Sequence, residues 1–90
     1  MKRLHPSSQF KKDLKRYRHR QAKLAALERV LDLLINGEPL PKQYLCHRLS
    51  GNYEDCLECH IESDFLLIWI DDNDVVELIR LGSHSELFNK

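Results

Sequence analysis

Phe10, Leu14 and Tyr17 recur at i, i+4 and i+7, the spacing that lays apolar side chains along one stripe of a helix. Ser7 and Ser8 precede that stripe as N-cap candidates. A second, clearer helix is predicted over 22–36, where Leu24, Leu27, Leu31 and Leu34 form the stripe and Val30 widens it. His19-Arg20-Gln21 is either a joint between the two helices or, lacking Gly and Pro, a stretch of continuous helix. Asn36-Gly37 stops the second one, because glycine takes the left-handed conformation cheaply, and Pro39 and Pro41 keep it from resuming. Residues 38–55 read as a loop with a turn at Gly51-Asn52.

Beyond the loop the period changes to two. Leu57, Cys59 and Ile61 alternate with Glu58, His60 and Glu62, the signature of a strand with one buried face. Phe65 to Ile70 is wholly apolar and rich in branched and aromatic residues, as expected of a central strand covered on both sides. Asp71-Asp72-Asn73-Asp74 forms a turn, and Val75 to Leu81 returns. Met1 to His5, bounded by Pro6, has room for one edge strand, and Gly82 to Lys90 for one helical turn. The order is β-α-α-β-β-β. It predicts an α+β fold in one domain over 1–90, an antiparallel sheet with two helices packed on one face.

Length and composition narrow the class. Ninety residues with 42% hydrophobic and 31% charged side chains suit one globular domain, and exclude a disordered tail or a membrane protein. The longest apolar-rich run, Leu24 to Ile35, is broken by Glu28, Arg29 and Asp32, so no membrane partner is expected. No apolar run follows Lys2 and Arg3 as in a secretory signal, so a cytoplasmic protein is expected. The formal net charge is zero, but residues 1–24 carry nine basic side chains against one acid, a net +8, and the remainder carries −8. Such asymmetry reads either as an anionic partner, commonly nucleic acid, or as a solvated helix face, and charge alone does not choose between them.

Five histidines stand in the chain, and His47, His60 and His84 occupy the loop, the polar side of a strand and the end of the last strand. A meander can bring those segments to one edge. Imidazole titrates near neutrality, so two histidines can serve as base and acid together. Cys56-Leu57-Glu58-Cys59-His60 matches the C-x-x-C-H haem-attachment pattern, but strand alternation sends the two cysteines to opposite faces. A zinc site from Cys46, Cys56, Cys59 and His60 lacks a second well-spaced pair. We therefore read three reduced thiols, with Cys59 in the core, and no metal or cofactor. Arg80 is either paired with Glu77 or Asp64 or available to a phosphate. Asp64 opens a strand, and Phe88 is a core plug or a platform for a base.

Three blocks carry a resemblance. His47-Arg48-Leu49-Ser50-Gly51, then Glu58-Cys59-His60-Ile61 with Asp64, then Arg80-Leu81-Gly82-Ser83-His84-Ser85-Glu86-Leu87-Phe88 resemble the YafQ-like branch of the RelE/ParE toxin superfamily, in the same order. The resemblance implies the same β-α-α-β-β-β fold. It also implies a ribosome-dependent, metal-independent messenger-RNA endonuclease acting in the A site, neutralised by a cognate antitoxin. Carried over by position, His47, His60, Asp64, His84 and Phe88 are the expected catalytic residues and Arg80 a phosphate contact. In that chemistry a base removes the 2′-hydroxyl proton and an acid protonates the departing 5′ oxygen. We assign His60 as base, His84 as acid and Asp64 as the residue that orients or assists. Lys11, Lys12, Lys15 and Arg16 are expected to grip ribosomal RNA without reading bases, or to dock an acidic antitoxin segment. One departure stands out: Cys56-Leu57 occupies positions where many relatives carry an aromatic residue followed by Arg. The rivals are a ParE-like gyrase poison, which needs no proton-transfer groups, and a non-enzymatic binding module.

Overall fold

The computed structural model describes residues 1–88; positions 89 and 90 of the expected C-terminal turn lie outside the described residues. The chain runs β1 (Arg3–Pro6), α1 (Ser8–Lys15), α2 (Gln21–Ile35), β2 (His47–Arg48), β3 (Leu57–Glu62), β4 (Phe65–Asp72), β5 (Val75–Gly82) and α3 (His84–Phe88). Single 3₁₀ turns at Lys42–Tyr44 and Gly51–Tyr53 flank β2 inside the segment expected to be loop. The strands form one sheet in the order β1-β5-β4-β3-β2.

Consecutive strands from β2 to β5 are antiparallel, and tight turns at Ser63-Asp64 and Asn73-Asp74 join the last three. The sheet is mixed, however, because β1 lies parallel to β5, from Arg3 opposite Val75 to Pro6 opposite Leu78. This corrects the expectation of a purely antiparallel sheet. Hairpin turns dictate direction only between strands adjacent in the chain. The partner of β1 is the last strand, reached through both helices, so no turn sets its direction. Pro6 closes β1 on the sheet's edge, where its missing N–H costs no ladder bond.

Alternation along β4 divides the interior in two. Phe65, Leu67 and Trp69 face α1 and α2 and pack with Phe10, Tyr17, Leu27, Val30, Cys59, Leu78 and Leu81. Leu66 and Ile68 face the other way and pack with Cys56 and Leu87, flanked by Tyr53, Ile79 and Phe88. Both helices thus cover one face, as expected, and α3 with the Gly51–Tyr53 turn covers part of the other. Each fully buried side chain of this size contributes roughly 1.5–3 kcal/mol through loss of water contact. Cys56 and Cys59 enter different cores.

Residues 79–82 of β5 extend past the end of β1, and α1 caps the backbone left exposed there. Ser7 N–H donates to the Leu78 carbonyl at 2.9 Å, and Ser7 Oγ donates to the Ile79 carbonyl at 2.9 Å. The same Oγ accepts the Phe10 N–H at 2.9 Å as the N-cap of α1. Asp13, fully buried, accepts the Leu81 N–H at 3.0 Å. A bulge leaves Ile79 without a partner between the Ile68–Arg80 and Trp69–Leu78 pairs, and so turns Arg80 toward the edge. Its Nε and Nη2 donate to the two Asp13 carboxylate oxygens at 2.8 and 3.2 Å, and Nη1 donates to the Tyr53 hydroxyl at 3.3 Å.

Burial works against the Asp13 charge, but Arg80, the Leu81 N–H and Gln9 outweigh it and hold the carboxyl below its ordinary value of 3.8. The stability this contributes is present above that value and is lost as pH falls through the folded-state value. Removing one partner of a buried pair strands the other charge, at about 3–5 kcal/mol. Asp13→Ala is therefore expected to lose about that much in urea melts at pH 7, and the gap to the wild type should narrow as pH drops below about 4. A gap that is independent of pH would assign the loss to packing alone.

Candidate active site

The face away from α1 and α2 carries the histidines. Cross-strand partners share a face, and the register pairs His47 with Glu58, Glu58 with Ile68, and His60 with Leu66. Leu66 in turn pairs with Gly82, two residues before His84. Backbone pairing alone thus brings the three segments together. The His47 and His60 rings lie 6.3 Å apart and the His60 and His84 rings 5.5 Å apart. Phe88 follows at 6.4 Å from His84, and Tyr53 at 5.9 Å from Phe88.

A carboxylate that sequence reasoning passed over sits beneath the first two histidines. Glu58 alternates with core residues and reads as solvent-facing, yet it is only 4% exposed. Its Oε1 lies 3.2 Å from His47 Nε2 and 3.8 Å from His60 Nε2, while Oε2 has no hydrogen-bond partner among the described residues. The available signal was its pairing with a histidine block, not its period. His47 Nδ1 lies 2.8 Å from the Leu45 carbonyl, which can only accept, so Nδ1 carries a proton and Nε2 is the nitrogen turned to Glu58. Leu45 makes this contact in a left-handed conformation, at φ 50°, sparsely populated by branched residues.

Asp64, in the β3–β4 turn, holds His84 from the front. Its Oδ1 accepts both the His84 backbone N–H at 2.9 Å and Nδ1 at 2.7 Å. Those two bonds hold the Asp64 carboxyl below its ordinary value, the backbone N–H most strongly. A carboxylate needs a donor, so Nδ1 is protonated and Nε2 of His84 is left facing out.

α3 is a single turn closed by reciprocal capping: Ser83 N–H donates to Glu86 Oε1 at 2.8 Å and Glu86 N–H to Ser83 Oγ at 3.2 Å. Ser83-x-x-Glu86 is the sequence pattern of such a box, a signal the reading of Gly82 to Lys90 as one helical turn did not use. His84 and Phe88 stand at i and i+4 and therefore share one side of the turn.

Arg80 reaches neither Glu77 nor Asp64, the partners considered for it; Asp13 takes it instead, and its side chain is 17% exposed. Lys11, Lys12 and Lys15 line an open groove with His5 to Ser8, which includes none of His47, His60 and His84. Arg16 stands 3.6 Å from Asp13 and 3.7 Å from Glu86. Asp13, the one acid of the basic segment, is turned inward, so the charged groups on the outer surface of α1 are all basic. Burial pushes the Cys56 and Cys59 thiols up, Cys59 to about 12, which disfavours thiolate chemistry there at neutral pH, whereas Cys46 is exposed. Cys56 is buried in the second core and Leu57 packs against the first.

The sheet backed by two helices agrees with the fold that the resemblance to the RelE/ParE superfamily implies, and a histidine–carboxylate cluster stands on its open face. The chain belongs to the family described as the bacterial toxin of type II toxin-antitoxin systems, YafQ, which it matches over residues 2–89. It is 34% identical over 83 residues to the mRNA interferase toxin YafQ of Escherichia coli K12, covering 91% of this chain and 90% of the relative. It superposes on YafQ in the E. coli DinJ–YafQ complex with a TM-score of 0.87 and 31% identity, covering 98% of this chain and 99% of the other. A metal-bound toxin from Helicobacter pylori gives 0.87 at 38% identity, covering 98% and 100%.

The Asp64–His84 geometry makes a spectroscopic prediction. In ¹⁵N spectra at neutral pH, neutral His84 is expected as the Nδ1–H tautomer, and Asp64→Ala should shift it toward the Nε2–H form usual for free imidazole. A dominant Nε2–H tautomer in the wild type would contradict the assignment.

Proposed function

We propose that this domain, residues 1–90, is the toxin of a toxin–antitoxin pair and cuts messenger RNA in the ribosomal A site by histidine acid–base chemistry. The observation that carries the reading is the convergence of His47, His60 and His84 on one open face, with Glu58 beneath and Asp64 beside them. The name borne by the E. coli relative, an mRNA interferase, supports the substrate class. The relative's complex with DinJ supports an antitoxin as the neutralising partner.

In the proposed reaction His60 removes the proton from the 2′-hydroxyl, and that oxygen attacks the adjacent phosphorus. Glu58 stabilises the imidazolium that forms, as a carboxylate behind a catalytic histidine does. His84, protonated on both nitrogens and fixed through Nδ1 by Asp64, delivers the Nε2 proton to the departing 5′ oxygen. A cyclic phosphate and a free 5′-hydroxyl result, so no water or metal is consumed in this step. His47, turned toward the same space, offsets charge on the phosphate. Arg80 adds its remaining guanidinium hydrogens at the margin, since Asp13 and Tyr53 already use three of its five. Phe88 offers a ring face to a base beside the scissile bond.

The basic surface of α1 serves the second half of the task. Lys11, Lys12, Lys15 and Arg16 grip ribosomal RNA by releasing counterions, a term independent of sequence. The grip and the cutting site lie on different faces, so the toxin can hold the ribosome without covering its histidines.

On translating ribosomes His84→Ala is expected to lose at least about 10²-fold in cleavage rate, the usual worth of a general acid. Unchanged cleavage by the folded variant would sink the assignment, and loss of wild-type activity in EDTA-treated toxin would favour a metal. Charge-neutralising substitutions at Lys11, Lys12 and Lys15 should weaken ribosome binding and flatten its salt dependence, by roughly 0.7–0.9 in log–log slope for each phosphate no longer neutralised. An unchanged slope would assign that face to a different partner.

A further inference from the structure

His84 is held from the front by Asp64, but a five-residue helix has too few internal bonds to fix its own orientation. The opposite side of α3 meets Arg16 and Tyr17, in the turn that follows α1. Glu86 lies two residues from both His84 and Phe88, about 200° around the helix at 100° per residue, and so points away from the histidines. Its Oε1 accepts the Tyr17 hydroxyl at 2.7 Å and the Ser83 N–H at 2.8 Å. Arg16 stands 3.7 Å from Oε2. Tyr17 is itself fixed: it is 7% exposed and its ring packs on Phe65 at 4.8 Å.

Two further features show that this contact is built in. Any side chain at Gly82 would put its Cβ 2.7 Å from Glu86 Oε1, so glycine there is what lets the carboxylate reach back over the strand end. Burial opposes the Glu86 charge, yet the Ser83 N–H, Tyr17 and Arg16 hold its carboxyl below the ordinary value. Burial and the adjacent carboxylate raise the Tyr17 hydroxyl well above its usual range, so it remains a donor at every working pH.

We propose that Tyr17 and Glu86 are positioning residues for cleavage: a clamp from the helical side of the sheet that sets the rotation of α3 and so aims His84 Nε2 at the departing oxygen. The inference rests on the catalytic reading of His84 given above. Neither residue touches RNA. Their effect passes through α3, and it falls on the rate of the chemical step rather than on ribosome binding. A misplacement of about 1 Å can cost 10²-fold in rate, and removal of one of two anchors should cost less.

The test is Tyr17→Phe, which keeps the ring on Phe65 and removes only the hydroxyl. The variant is expected to melt like the wild type and to bind ribosomes with unchanged KM, with kcat reduced about 10-fold. The His84 Nδ1 resonance should shift or broaden in ¹⁵N spectra. Glu86→Gln retains an acceptor oxygen and should keep most of the activity, whereas Glu86→Ala should lose it. The Tyr17→Phe/Glu86→Ala double variant should be no slower than the worse single one, because both remove the same hydrogen bond. Wild-type kcat in Tyr17→Phe beside an inactive His84→Ala overturns the clamp and leaves the catalytic reading standing. Wild-type kcat in both overturns the two together. A lowered melting temperature with an unchanged His84 spectrum and unchanged kcat would make the contact merely structural, and would also overturn the proposal.

Discussion

The carboxylate of Asp13 is the point on which the arrangement turns. A strand that outruns its neighbour leaves backbone groups unpaired, and a buried N–H without a partner costs about 1–3 kcal/mol. β5 outruns β1 by four residues, 79–82, and those residues lead into the helix that carries His84. Asp13 closes the gap from α1, accepting the Leu81 N–H and the Arg80 guanidinium together. Arg80 passes the restraint to Tyr53 on the opposite side of the sheet, and Tyr53 meets the ring of Phe88. One buried ion pair thus ties α1, the last strand and the aromatic end of the site into one body. The charge that would make Arg80 a free phosphate ligand is largely consumed in doing so.

That division of labour recasts the charge balance. The basic third of the chain is not a uniform positive surface. Lys2 and Lys23 reach across to Asp71 and Glu62 at 2.7 Å each, and Arg16 leans toward Asp13 and Glu86. Exposed pairs of this kind contribute little stability. They do leave Lys11, Lys12 and Lys15 as the part of α1 whose charge is directed outward, around the open groove with His5 to Ser8. The acidic remainder is sorted in the same way. Glu58 and Asp64 are bound to histidines, and Glu86 to the back of α3.

Much of this was legible before any coordinates. The helical stripes, the switch to a period of two after the loop and the apolar run at Phe65 are local signals, and each became the element its period implied, except that α1 ends at Lys15 and leaves Tyr17 of its stripe in the turn beyond. The direction of β1 was not legible, because no turn links it to β5. Nor was Asp13, whose single negative charge among nine basic residues looks like a solvated face until the strand end it caps is known. Glu58 was missed for a related reason: alternation distinguishes two faces of a strand but does not say whether the polar one is wet. It is dry because two imidazoles from different segments close over it. For the histidines, period placed His60 on the polar side, but convergence came from register, His47 opposite Glu58 and Gly82 opposite Leu66.

In the proposed chemistry His60 and His84 move protons around an attacking 2′-oxygen, and the messenger can test that directly. A message carrying one 2′-deoxynucleotide at the cleavage position is placed in the A site of a stalled ribosome, and the toxin is added. Cleavage at that position is predicted to vanish, while an all-ribose message of the same sequence yields a cyclic phosphate and a 5′-hydroxyl end. Cutting of the deoxy-substituted message at the normal rate would contradict the mechanism, whatever the fold and the family.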